Sequence, residues 1–180
     1  TVQSVTIYEV AQKPAFETFG TLASQHLKDL STADKSDERH VFVHFGVHSS
    51  TEVILLEQVA WNEMTFRVCD QRGFQPEQAP INSSDGAISH SRASKLPLEA
   101  IKEDLCSKFG LKGKPIFGLS TDPGRFLCNY LYYLSLVETS KYPGAHSLFV
   151  HVPPFKTIPQ GTQMHVIHAL LNAVCLAAAK

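Results

Sequence analysis

Cys128 is the residue of this chain whose type and setting most directly suggest reactive chemistry. It follows a strand-like stretch, residues 115–119, and the turn S-T-D-P-G, and it falls in the first turn of a helix predicted over 125–137. Unpaired N–H groups and partial positive charge at a helix N-terminus favour a thiolate and can also cradle an oxyanion. One place would then supply both nucleophile and oxyanion donors. From local context alone, the more ordinary reading is a buried cysteine acting as a small hydrophobe. Cys69, Cys106 and Cys175 are assigned that ordinary role, Cys106 and Cys175 within helical patterns and Cys69 in an irregular stretch.

His151 ends the strand-like run S-L-F-V-H-V, just before Pro153 and Pro154 stop it. If the strands run parallel, their carboxyl ends share one rim, and a histidine there can meet the N-terminus of the preceding helix. Taken singly, a histidine at a strand end is more often structural or solvated. Glu57 lies in L-L-E-Q-V-A-W-N, where an acid amid apolar residues needs a partner if it is buried. A carboxylate can hold an imidazole in the useful tautomer for a cysteine–histidine pair. A place on a strand's exposed edge would explain Glu57 equally well. His44, inside an apolar run, reads as a satisfied core histidine. His165 and His168 stand three apart on a helix, but nothing completes a metal site around them, and no metal is assigned.

The elements that must position these groups follow from periodicity. Residues 2–10 read as a strand, and a helix opening at Pro14 carries Phe16, Phe19, Ala23, Leu27 and Leu30 on one buried stripe. A surface loop is expected over 31–38. His40–Val47 is a continuous apolar run, the pattern of a strand buried on both faces, and 53–60 is a further candidate strand. Residues 62–94, punctuated by Gly, Pro, Ser and Asn, predict long irregular loops with one hairpin. A helix starting at Pro97 would bury Leu98, Ile101, Leu105 and Phe109 and stop at Gly110. The strand 147–152 and a last helix over 162–179 complete an alternation of strand and helix. Such alternation predicts a single α/β domain over residues 1–180: an open, mostly parallel sheet with helices on both faces, in three layers.

Composition narrows the function. Sixteen basic against seventeen acidic residues leave a formal charge of -1, which argues against nucleic acid or an anionic membrane surface as a partner. Four widely spaced cysteines without a C-x-x-C pair suggest free thiols in a reducing compartment, the cytoplasm by default. No G-x-S-x-G elbow, phosphate-binding glycine loop or dinucleotide fingerprint occurs.

Taken together, these segments resemble the pyroglutamyl-peptidase I (pyrrolidone-carboxylate peptidase) family, and a plant-like member of it. S-T-D-P-G-R-F-L-C-N-Y-L-Y-Y-L-S-L (120–136) is similar to the family's Cys-Asn signature, and S-L-F-V-H-V-P (147–153) to its histidine motif. V-H-F-G-V followed by L-E-Q-V-A-W-N-E-M-T-F-R resembles its glutamate segment. The resemblance implies Cys128, His151 and Glu57 as a catalytic triad, and cofactor-independent removal of N-terminal pyroglutamate from peptides through a thioester. It also implies homo-oligomers. Arg67 and Asp70 fall where the family has an Arg and an Asp near its active-site loop, a pattern that Gly73, Gln75 and Pro76 continue.

The lactam ring is small, flat and uncharged. Phe126 and Leu127 are expected as walls of its pocket, with backbone around Gly46, Val47 and His48 receiving its polar atoms. One departure stands out: the family's first strand and its Gly-Phe-x-x-Phe loop have no counterpart here, so the chain is expected to be N-terminally truncated. A catalytically impaired relic that binds peptides is therefore a second reading. A third is another cysteine hydrolase or amidotransferase that uses the same three residue types.

Overall fold

A computed structural model describes residues 6, 11–28, 38–111 and 113–180 of the chain. The strand expected over 2–10 (Thr6 apart), Leu30 and most of the loop expected over 31–38 lie outside the described residues.

Helix α1 (Gln12–Leu27) buries Ala15, Phe19, Ala23 and Leu27, a straight row of four-residue steps. That row packs with Leu131 and Ala145. Phe16, expected on the buried stripe, is instead 54% exposed, because small Ala15 takes the inward place beside it. Ala11 caps the helix with no side-chain bond of its own. Buried Asp70 does so from a distant loop, accepting the Gln12 N–H at 2.8 Å.

Four strands form the main sheet, in the order β1-β8-β2-β7: β1 (His40–Val47), β8 (Ala145–Val152), β2 (Ile54–Glu57) and β7 (Phe117–Ser120). β1 pairs in parallel with β8, and β2 with β7, while β2 runs antiparallel to β8. The sheet is thus mostly parallel, as expected, with one reversal at its centre. One face carries α2 (Leu98–Lys108) and α4 (Gln160–Ala178) on a core of Ile54, Leu56, Leu148 and Val150. The other carries α1 and α3 (Leu127–Thr139), so the fold is a three-layer α/β sandwich.

β1 departs from the strand buried on both faces that its apolar run suggests. It is the outer strand of the described sheet, and Phe45 and Val47 are 45% and 67% exposed. Val41 and Val43 pack into the α2/α4 core, and Phe45 and Val47 continue that face past its cover. Residues 53–60 are broken by Gln58 into β2 and β3 (Val59–Trp61), and β3 pairs antiparallel with β4 (Ser91–Ala93) across the long irregular stretch between them, in place of a hairpin formed within 62–94.

α2 ends at Lys108, with the Phe109 N–H bonded to Leu105 O. Gly110, expected to stop that helix, starts the short pair β5 (Gly110–Leu111) and β6 (Lys114–Pro115). Cys69 and Cys175, expected as buried small hydrophobes, are exposed, and Cys106 is half-buried with its thiol near Phe117 O at 3.5 Å. The buried row of α4 is Val166, Leu170, Val174 and Ala178, which turns Cys175 a step off the core. All four thiols are free, as the sequence suggests.

Candidate active site

The reversal at β2 changes how the predicted residues meet. A shared rim of parallel strands would have brought Cys128 and His151 together, but β7 and β2 both run against β8. The convergence comes from register instead. Glu57 faces Phe149 across the β2–β8 ladder and Leu55 faces His151, so Glu57 and His151 are diagonal neighbours on one face. Their side chains join at 2.7 Å, His151 Nδ1 to Glu57 Oε1. Both are buried, at 3% and 0% exposure. Among the described residues, Glu57 Oε2 has no hydrogen-bond partner.

The Nδ1–Glu57 bond leaves Nε2 uncommitted to Glu57, and Cys128 also adjoins the ring. Burial alone pulls the His151 pKa down, but the adjoining Cys128 and Glu57 outweigh it and push the value up to about 9. The protonated form of the ring is therefore favoured beside this carboxylate and this sulfur.

The thiol reaches the ring because β1 makes room. Gly46 is the register partner of His151, and a Cβ at Gly46 would stand 2.9 Å from Phe149 Cζ and 3.0 Å from Cys128 Sγ. The loop before α3 is also held firmly. Gly124 takes φ of +78°, a conformation that L side chains rarely adopt, and its N–H bonds Asp122 Oδ1. Arg125 reaches Glu63 at 3.0 Å and Asp122 at 2.7 Å, with its guanidinium 5.2 Å from the Trp61 ring centre. The first helical bond of α3 is Tyr130 N–H to Phe126 O, and Phe126 offers no capping side chain. The earlier N–H groups are outside that ladder, and groups of this kind can receive an oxyanion.

The substrate-side residues divide. Phe126 packs edge-on against Phe66 at 4.6 Å between ring centres, and Leu127 joins the same cluster, both beside Cys128. His48 sets its ring edge-to-face on His151 at 5.4 Å. The His48 N–H is spent on Val152 O, so that amide is not open to a ligand. Val47 is largely exposed. Arg67 is exposed on the loop that follows Phe66, and among the described residues no hydrogen bond or ion pair ties it to Cys128, His151 or Glu57.

The sequence reading passed over two residues. Buried Asn129 accepts the Trp61 N–H and donates to Trp61 O and Glu63 O, all within 2.9 Å, which fixes the start of α3 to the strand leaving Glu57. An amide inside the apolar run L-C-N-Y-L-Y-Y-L was a signal of buried bonding. Tyr132, fully buried, donates to Glu57 O at 2.7 Å. His44 is the satisfied core histidine expected, bonded to Ser135 Oγ at 2.9 Å. Burial holds its pKa down at about 4.

Comparison with known proteins agrees with this architecture. Residues 16–176 match the family described as pyroglutamyl peptidase. The pyrrolidone-carboxylate peptidase of Clavibacter michiganensis is 31% identical over 113 residues, which is 63% of this chain and 49% of that protein. Its counterpart in Pyrococcus furiosus is 34% identical over 115 residues, 63% of this chain and 51% of that protein. Each match thus spans about half the length of the relative. The crystal structure of pyroglutamyl peptidase I from Bacillus amyloliquefaciens shares the fold, with a TM-score of 0.72 and 22% identity over 96% of this chain and 76% of that one. With 161 of its residues matched and its fold shared, the chain belongs to the pyroglutamyl peptidase family.

Proposed function

We propose that this protein is a cysteine exopeptidase that removes N-terminal pyroglutamate from peptides, with Cys128 as nucleophile, His151 as acid and base, and Glu57 as the group that orients His151. One observation carries the reading: a buried imidazole bonded to Glu57 at 2.7 Å, with Cys128 adjoining the same ring. In the first step the Cys128 sulfur attacks the pyroglutamyl carbonyl carbon, and the uncapped N–H groups at the start of α3 receive the oxyanion. The C–N bond then breaks as His151 gives its proton to the departing amine, leaving a thioester. His151, now neutral, takes a proton from water, the hydroxide adds to the thioester carbon, and the C–S bond breaks to release pyroglutamate.

Phe126 and Leu127 supply apolar walls for the lactam ring, and Gly46 keeps the floor of the site open. Val47 and His48 line its β1 side, and Arg67 belongs to the outer part of the peptide path. Residues 1–180 act as one domain in this reading. The partners are peptides bearing pyroglutamate and further copies of this chain, with neither nucleic acid nor membrane involved. Among the described residues, no helix is long and apolar enough to cross a membrane. The four free thiols support a cytoplasmic location.

The test is hydrolysis of a pyroglutamyl aminocoumarin amide by the full chain and by Cys128→Ala. Turnover is expected in the first and none above background in the second. Equal turnover by both proteins would refute the mechanism.

A further inference from the structure

The contacts of Tyr132 join all three elements of the triad. Tyr132 lies one turn beyond Cys128 on α3, so nucleophile and phenol share a face of one helix. Its hydroxyl donates to the backbone carbonyl of Glu57 at 2.7 Å. Ser94 and the Phe149 backbone stand beside the same hydroxyl. Glu57 and Phe149 are opposite each other at the end of the β2–β8 ladder, two residues from His151. The phenol ring also packs on Phe149 at 5.9 Å between centres, and Phe149 packs on His151 at 4.9 Å.

A fully buried phenol is costly unless its hydroxyl is bonded, and apolar Phe there would fill nearly the same volume. Burial pushes the Tyr132 pKa well above the ordinary phenol value, so the group remains a donor throughout the working range. Asn129 already binds the start of α3 to residues 61–63, which leaves the distance from α3 to Glu57 itself to another contact.

We infer that Tyr132 is a positioning residue for the hydrolytic triad: its hydroxyl fixes the spacing between the nucleophile's helix and the strand that carries the carboxylate. The inference rests on the hydrolase reading above. Without the hydroxyl, Glu57 is free to shift relative to α3, and the Glu57–His151–Cys128 line loses its alignment while each member remains.

The test compares full-length wild type with Tyr132→Phe on the pyroglutamyl reporter, and by NMR titration of the His151 ring, assigned with His151→Gln. Misplacement on the ångström scale costs from about tenfold to about a hundredfold in rate. The expected result is a kcat about tenfold lower with KM within about twofold, and a His151 midpoint clearly below the wild-type value of about 9. Introducing 4-aminophenylalanine at 132, which keeps a donor in place, should restore both. If Tyr132→Phe does not fold, 4-fluorophenylalanine keeps the volume without the donor and should show the same loss.

Wild-type kcat and an unmoved His151 midpoint in the donor-free protein would overturn the inference, even with lowered thermal stability. The titration needs no substrate. A wild type that hydrolyses no reporter would sink the hydrolase reading, while the titration would still report separately on Tyr132.

Discussion

Glu57→Gln isolates the charge of the buried acid from its shape. Glutamine keeps an oxygen within reach of His151 Nδ1, so the ring can stay oriented while the anion that supports its protonation is lost. His151 stands at about 9 against an ordinary 6.5, a difference of 2.5 units. At about 1.4 kcal/mol per unit, that corresponds to roughly 3 kcal/mol favouring the imidazolium, with little solvent screening at a site so buried. Cys128 and Glu57 share this effect. Losing the Glu57 anion removes one of these two supports, and kcat should fall by about tenfold or more, at or below the low end of what a positioned acid–base group supplies.

Linkage fixes the direction of the accompanying stability change. His151 is raised in the folded state, so its contribution is complete below pH 6.5 and disappears as pH rises through about 9. In Glu57→Gln that alkaline loss should be smaller and should be complete at lower pH. At pH 7, below the raised His151 value, most of that contribution is present, so the variant should be less stable there than wild type, while the difference should shrink toward pH 9 and above. The assays are kcat against pH with the pyroglutamyl reporter and urea denaturation at pH 7 and pH 9. A variant with wild-type kcat and an unchanged alkaline limb would refute the role given to this carboxylate.

Three further outcomes are expected. Gly46→Ala places a methyl 2.9 Å from Phe149 Cζ and 3.0 Å from Cys128 Sγ, so kcat should fall at least about tenfold with a modest loss of about 1–3 kcal/mol in stability. Unchanged turnover there would show that the thiol has room to spare. Asn129→Ala strands three backbone partners, Trp61 N–H, Trp61 O and Glu63 O, and should cost about 3 kcal/mol by urea denaturation, against the near-zero change of a surface asparagine. His44 titrates at about 4 when folded and near 6.5 when unfolded, so the unfolded chain takes up its proton first as pH falls. Stability should drop by up to about 3 kcal/mol between pH 6.5 and pH 4, and His44→Gln should flatten that slope.

Much of the fold was legible because periodicity alone specifies many of its elements. The buried residues of α2 and the apolar run of β8 follow directly from their patterns. Strand direction was not legible. An apolar run looks the same in either direction, so the reversal of β2 against β8, which makes Glu57 a diagonal neighbour of His151, carries no local mark. Phe16 and Cys175 failed for a related reason: one step around a helix separates core from solvent, and small neighbours such as Ala15 decide which residue turns inward.

Cys128, His151 and Glu57 were singled out through motifs that resemble a family, since each taken alone had an ordinary explanation. Asn129 and Tyr132 were legible only as polar groups in an apolar helix. Which distant backbone they would bind depended on the packing of α3 over β2 and β3.

The diagonal placement of acid and histidine makes this chemistry a matter of parity. Side chains alternate along a strand, so one residue added or removed within residues 54–57 would turn the acid toward the α2/α4 layer while leaving the composition of the segment almost intact. A change of two residues would return it to the histidine's face, one rung away. Length variation should therefore be tolerated in the irregular stretch that follows β3, whereas odd-numbered changes inside β2 should part the acid from the histidine and also turn Ile54 and Leu56 out of their core.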